Sequence, residues 1–230
     1  GTRYTMEMER LNLEELSNKQ LELKEEGVYL ITGGTGGLGL EIAKYLAERG
    51  PINLALLKRT PLPEKSEWES IIEADNEEKL IKVFEGIYKL EELGANVKCY
   101  AADVSDPEEM KETIGQIRRD YGQINGVIHA AGVAGDGFIY RKDKEVFDNV
   151  MAPKVDGTWL LDQLTQNDPL EFFIMFSSIT SLFGGRGQGD YTAANSYLDS
   201  FVGYRKFHNK PGLTINWAAW KETGMAVDWG

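Results

Sequence analysis

The chain has 230 residues, which at about 150 residues per domain sets a prior between one and two domains and leaves room for a full hydrophobic core. Its 25 Lys and Arg against 37 Asp and Glu give a formal charge of −12, which argues against duplex nucleic acid as a partner, since that needs a basic face to displace phosphate counterions. The single cysteine, Cys99, excludes an internal disulfide and a thiolate zinc site, and no apolar run approaches the roughly 18 residues of a membrane span. A cytoplasmic protein without membrane segment or metal is expected.

The acid is unevenly placed. Residues 1–26 carry seven acidic against four basic side chains, and residues 61–96 carry ten against four. The first stretch is mixed and charged and is expected to be an exposed leader or interdomain linker. From Gly27 onward short apolar runs alternate with periodic stretches, the pattern of βαβ units around a parallel sheet. Strands are predicted over Val28–Thr32, Asn53–Leu57, Val97–Ala101, Gly126–His129, Phe172–Ser177 and Leu213–Trp217. Helices are predicted over Leu38–Glu48, Glu77–Leu93, Pro107–Tyr121, Lys144–Gln163 and Tyr191–Phe207. The fold class is therefore α/β, a Rossmann-like doubly wound parallel sheet with helices on both faces, ordered 3-2-1-4-5-6. Residues 60–76 interrupt this spacing as a surface insertion, with Trp68 and Ile71–Ile72 as its apolar anchor.

The first strand runs into Gly33-Gly34-Thr35-Gly36-Gly37-Leu38-Gly39 and then a helix. Such a turn lets the backbone approach a pyrophosphate while the helix N-terminus offers free N–H groups. A ligand-free tight turn is the bland alternative, but strand, turn and helix in register favour a dinucleotide site. An acidic residue after the second strand would favour a free ribose 2′-hydroxyl, whereas Lys58-Arg59 suits a 2′-phosphate and hence NADPH. Two solvated surface cations would look the same. Asp103 and Val104 follow the third strand and could contact adenine; the bland alternative for Asp103 is a helix cap, which Ser105 or Asp106 would supply better.

Thr32-Gly33, Gly37-Leu38-Gly39 and His129-Ala130-Ala131-Gly132 resemble the motifs of short-chain dehydrogenase/reductases. Ser177-Ser178, Gly184 to Tyr191 and Ala193-Ala194-Asn195 narrow the resemblance to the catalytic half of ketoreductase domains in modular polyketide synthases, over residues 27–230. The long insertion resembles the bacterial trans-acyltransferase type. That resemblance implies Tyr191 as proton donor, Ser178 as hydrogen-bond donor to the substrate carbonyl, Lys154 as the lysine that favours the phenolate, and Asn195 at the position where simpler reductases carry that lysine. Ser177 is the competitor for the serine role. It also implies that Ala130, Ala131 and Gly132 line the cofactor. A structural or cofactor-lining role is expected for His129.

Stereocontrol is implied at Asp136, the surviving residue of a Leu-Asp-Asp motif, and at Phe183, where family members giving the L-alcohol usually carry Trp; together they point to a D-hydroxyl product. Gln188 and Met225 join the implied substrate side, and Met225-Ala226 resembles the start of a lid expected to be cut short at Gly230. The implied substrate is a β-ketoacyl thioester on an acyl carrier protein, and the implied neighbours are a structural reductase subdomain and other synthase domains. Arg141, Lys142 and Lys144 could form a cationic docking patch or a solvated loop. The alternatives are a freestanding short-chain reductase, similar to a 3-oxoacyl carrier protein reductase, and a non-catalytic structural reductase module.

Overall fold

The computed structural model describes residues 9–10, 12, 22–135, 137–221 and 223–224. Six parallel strands form one sheet in the order β3-β2-β1-β4-β5-β6. They are β1 (Val28–Thr32), β2 (Asn53–Lys58), β3 (Asn96–Ala101), β4 (Gly126–His129), β5 (Phe172–Ser178) and β6 (Leu213–Trp217). The predicted order and every predicted strand are present, with ends shifted by at most one residue.

The apolar runs are continuous because side chains of alternating residues leave opposite faces of a sheet that is covered on both. Val28 and Leu30 of β1 pack with Leu57, Ile114, Leu161, Phe173 and Leu198 on one side. Tyr29 and Ile31 pack with Leu46, Leu56, Phe84, Ile87 and Phe176 on the other. The first side is covered by α4 (Pro107–Tyr121), α5 (Lys144–Leu164) and α7 (Gly189–Phe207), and the second by α1 (Gly37–Ala47) and α3 (Glu78–Glu92). Local chemistry sets the helix ends. Asp106 caps α4, its carboxylate accepting from the Glu108 and Glu109 amides at 2.9 Å each, and Pro107 occupies the first helical position where a missing N–H costs nothing.

The insertion is a folded piece. A 3-10 turn at Lys65–Glu67 leads into the short helix α2 (Trp68–Ala74). Trp68 is buried and stacks on Phe84 of α3 with ring centroids 4.3 Å apart, while its indole N–H donates to the Pro63 carbonyl at 2.9 Å. One aromatic side chain thus ties an acidic surface segment to the core. Trp68→Ala should lower stability by about 3 kcal/mol or more, read as a fall in Tm; a Tm unchanged from the parent would show that α2 is not anchored through this ring.

Candidate active site

The sheet order reverses between β1 and β4, and the carboxyl ends of β1 to β4 open there on a cavity of about 300 Å³. That is where an open α/β sheet accepts a ligand. Gly33, Gly36, Gly37, Leu38 and Gly39 line it from the first turn, Lys58 and Arg59 from the end of β2, Asp103 and Val104 from the end of β3, and Ala130, Ala131 and Gly132 from the end of β4. Thr35 lies just outside, buried, in an adjoining cleft with Lys58 and Leu80.

Gly33 holds a φ of +66°, and a Cβ there would sit 3.0 Å from the Ala130 carbonyl carbon and the Ala131 amide nitrogen. A Cβ on Gly39 would run into the Gly33 carbonyl oxygen. The turn is therefore a backbone cradle that side chains would fill, and it fits the pyrophosphate of a nicotinamide dinucleotide. Asp103 is aimed by its neighbours: Oδ1 accepts from the Ser105 amide at 2.9 Å and from the Ser105 hydroxyl at 2.5 Å. Asp106, and not Asp103, caps the helix. Partial burial lowers the Lys58 pKa from the ordinary lysine value.

Beyond the cradle, the Thr32 hydroxyl lies 2.6 Å from His129 Nδ1, and His129 Nε2 lies 2.9 Å from the Pro153 carbonyl. A carbonyl only accepts, so Nε2 carries the proton and Nδ1 accepts from Thr32. Thr32 Oγ1 in turn accepts from the Ala131 amide at 3.3 Å. Burial, with the nearby Lys154 cation adding to it, pushes the His129 pKa down to about 3. His129 is a neutral structural link joining β1, β4 and α5, and is ill suited to act as an acid or base.

That link fixes the helix at Pro153, and the next residue is Lys154. Its side chain is buried, its Nζ donates to the Phe176 carbonyl at 2.7 Å, and Gly132 packs against it, since a Cβ on Gly132 would lie 3.1 Å from Lys154 Cε. Burial lowers its pKa to about 8, the charge of Asp199 pulling the other way. Across from it, α7 carries Tyr191 and Asn195 one turn apart, and the Asn195 amide donates to the Tyr191 carbonyl at 2.7 Å. Burial raises the Tyr191 pKa, while hydrogen bonds from the Ser178 and Asn195 side chains lower it. Asn195 Oδ1 is buried without a protein partner among the described residues, an acceptor left for water.

The two serines divide their work. Ser177 Oγ turns inward to the Asn195 carbonyl at 3.2 Å and accepts from Asn216 at 3.3 Å. Ser178 Oγ accepts from the Thr180 amide at 3.3 Å and is the one that reaches Tyr191. Gln188 precedes α7, and Phe183, the last residue of the short helix α6 (Thr180–Phe183), is exposed. Asp136 and Met225 lie outside the described residues.

With this geometry in place, the comparisons with known proteins converge. A family model described as KR domain matches residues 27–222. The chain belongs to the ketoreductase (KR) domain family of polyketide synthases. It is 41% identical over 204 residues to a 6-methylsalicylic acid synthase of Arthrobotrys oligospora, covering 87% of this chain and 11% of that protein. It is 36% identical over 234 residues to polyketide synthase PksN of Bacillus subtilis, covering 99% of this chain and 4% of that one. A crystal structure of an N-terminal ketoreductase from a macrolactin assembly line superimposes with a TM-score of 0.77 at 38% identity, covering 89% of this chain and 39% of that one. The chain thus spans a small part of the synthases it matches.

Two features of this ketoreductase domain escaped sequence reasoning. Asn216 of β6 is a hub, its amide reaching Ser177, Ser181 and Asp199; an amide side chain inside the short run Leu213–Trp217 was the available signal. Lys142 does not belong to a docking patch. It is buried and paired with Asp190, and Lys144 pairs with Asp148 on its own helix, so of the three cations only Arg141 remains exposed without an acidic partner among the described residues. A charge run in sequence carries no sign of which member turns inward.

His129 supplies a pH test. Its folded pKa of about 3 lies below the ordinary 6.5, so its contribution is complete above pH 6.5 and is lost as pH falls toward 3. The ketoreductase should lose up to about 5 kcal/mol through this group over that window. His129→Gln, which cannot protonate, should show a flatter fall in Tm between pH 6.5 and 3, and an identical slope would show that His129 is not the buried neutral link.

Proposed function

We propose that the chain reduces a β-ketoacyl thioester, carried on an acyl carrier protein, to the β-hydroxyacyl thioester with NADPH during polyketide assembly. The observation that carries this reading is the meeting of Tyr191 with Ser178 at the carboxyl end of β5, with a buried lysine, Lys154, that donates to the Phe176 carbonyl of the same strand and abuts the dinucleotide cradle through Gly132. When bound, the nicotinamide cofactor would supply the hydride that the carbonyl carbon accepts. Ser178 holds the ketone oxygen through its hydroxyl as negative charge develops there, and Tyr191 gives that oxygen the phenolic proton. Lys154, a cation below pH 8, favours the phenolate that this leaves behind. Asn195 fixes the first turn of α7 and offers Oδ1 to a water that can return a proton inward.

Lys58 and Arg59 at the cavity rim support NADPH over NADH, because two cations at the end of β2 match a 2′-phosphate. Asp136, with Phe183 in place of Trp, supports a D-hydroxyl product. The structural reductase subdomain and the other synthase domains are the proposed neighbours in the full protein.

Four measurements test the reading. NADPH oxidation with a β-keto thioester should fall about 100-fold or more in Tyr191→Phe, and full activity in that variant would remove Tyr191 as donor. Lys154→Met should lose turnover to a similar extent while Tm at pH 7 stays level or rises, since the variant no longer holds a cation out of water; a fall in Tm with turnover intact would make Lys154 a packing residue. Replacing Lys58 and Arg59 by Ala should raise the KM for NADPH by about 10- to 100-fold and leave that for NADH nearly unchanged, with equal effects on both cofactors counting against the 2′-phosphate assignment. Chiral analysis of the product should return mainly the D-alcohol.

A further inference from the structure

The ion pair Lys142–Asp190 lies outside the catalytic set and outside the cofactor cavity, yet it touches the site from behind. Its side chains are 3% and 0% exposed, with Lys142 Nζ 2.5 Å from Asp190 Oδ2. Asp190 is the residue before Tyr191, in the first turn of α7, where a carboxylate also suits the positive end of the helix. Its two oxygens are divided: Oδ2 holds Lys142, and Oδ1 accepts from the Tyr191 amide at 2.9 Å. Lys142 closes the 3-10 turn Ile139–Arg141 and donates a second hydrogen bond, at 3.0 Å, to the Gly135 carbonyl. The Gly137 amide donates to the Gly187 carbonyl at 3.0 Å, on the segment leading into α7. The stretch after β4 is therefore fastened to the approach and first turn of α7 at two points, on either side of position 136 in the sequence.

Burying two charges is costly, and an apolar pair of similar volume often serves stability as well or better. What an apolar pair cannot do is fix direction: it has no bond to the Tyr191 amide and none to the Gly135 carbonyl. We propose that Lys142 and Asp190 are positioning residues, a buried clamp that sets the loop after β4 against the backbone of Tyr191 and so fixes which face of the ketone is presented to the proton donor. This rests on the ketoreductase reading above.

The test uses the full chain, NADPH and a β-keto thioester, with three readouts: Tm, NADPH affinity by fluorescence, and turnover together with the ratio of alcohol stereoisomers. The double variant Lys142→Met/Asp190→Asn removes both charges while the Asn oxygen still accepts from the Tyr191 amide. It should keep the NADPH affinity, since neither residue lines the cavity, but lose about 10- to 100-fold in kcat, the scale of a small misplacement of a reacting group, and shift the stereoisomer ratio toward a mixture. Asp190→Glu retains the charges and moves the carboxylate by one methylene; it should shift the same ratio and serves as the deciding variant if the double variant does not fold. Parental kcat and stereoisomer ratio in either folded variant, whatever its Tm, would overturn the clamp and leave the ketoreductase reading intact. A parent chain that binds NADPH but turns over no β-keto thioester would instead overturn that reading, and the clamp's role in it.

Discussion

The pairing of β1 with β4 is the constraint on which the rest of the molecule depends. Chain order runs outward from β1 through β2 to β3 and then returns to β4 on its other side, so the two connections diverge and leave a crevice above Thr32 and His129, which face each other in register. The hydroxyl–imidazole–carbonyl relay of Thr32, His129 and Pro153 carries the register into α5. Pro153 has no N–H to give its own helix, but its carbonyl anchors the imidazole, and Lys154 follows immediately. A strand pairing thereby places a buried cation beside the cradle.

Three buried cations among the described residues are held in three ways. Arg205 is held by Asp162 and the Pro211 carbonyl and lies 3.9 Å above the Phe173 ring, a charge-paired tie between α5 and α7. Lys142 has a carboxylate and a carbonyl. Lys154 has a carbonyl at hydrogen-bonding distance and Asp199 only as a more distant charge. The least compensated of the three is the one at the cavity edge. An ion held in that way costs stability, and its pKa of about 8 records that cost.

Much of this was legible in the sequence, for physical reasons that can be named. Strands covered on both faces must be apolar on successive residues, so Val28–Thr32 and Gly126–His129 stand out at the observed boundaries. The glycine turn is legible because its geometry excludes side chains, and Tyr191, Ser178 and Lys154 because a resemblance supplied their spacing. Lys142 was not legible. Its neighbours Arg141 and Lys144 are exposed, and only the return of α7 to the end of β4, a contact between residues 48 positions apart, turns it inward. Asn216 failed for the same reason, its partners Ser181 and Asp199 lying 35 and 17 residues away.

The acidic surface and the neutral site are connected through the same logic. The insertion after β2 carries part of the excess acid and is held to the core by Trp68 against Phe84 and Tyr88 and by Leu62, Ile71 and Ile72, beside the edge strand β3. Next to the cavity the chain instead presents Lys58 and Arg59. An anion at that end of β2 would meet these two cations at close range on a protein whose net charge is negative, and charges farther off than a Debye length of about 8 Å are largely screened. Local placement of two side chains, and not the overall charge of −12, sets the charge that the cavity presents at the end of β2.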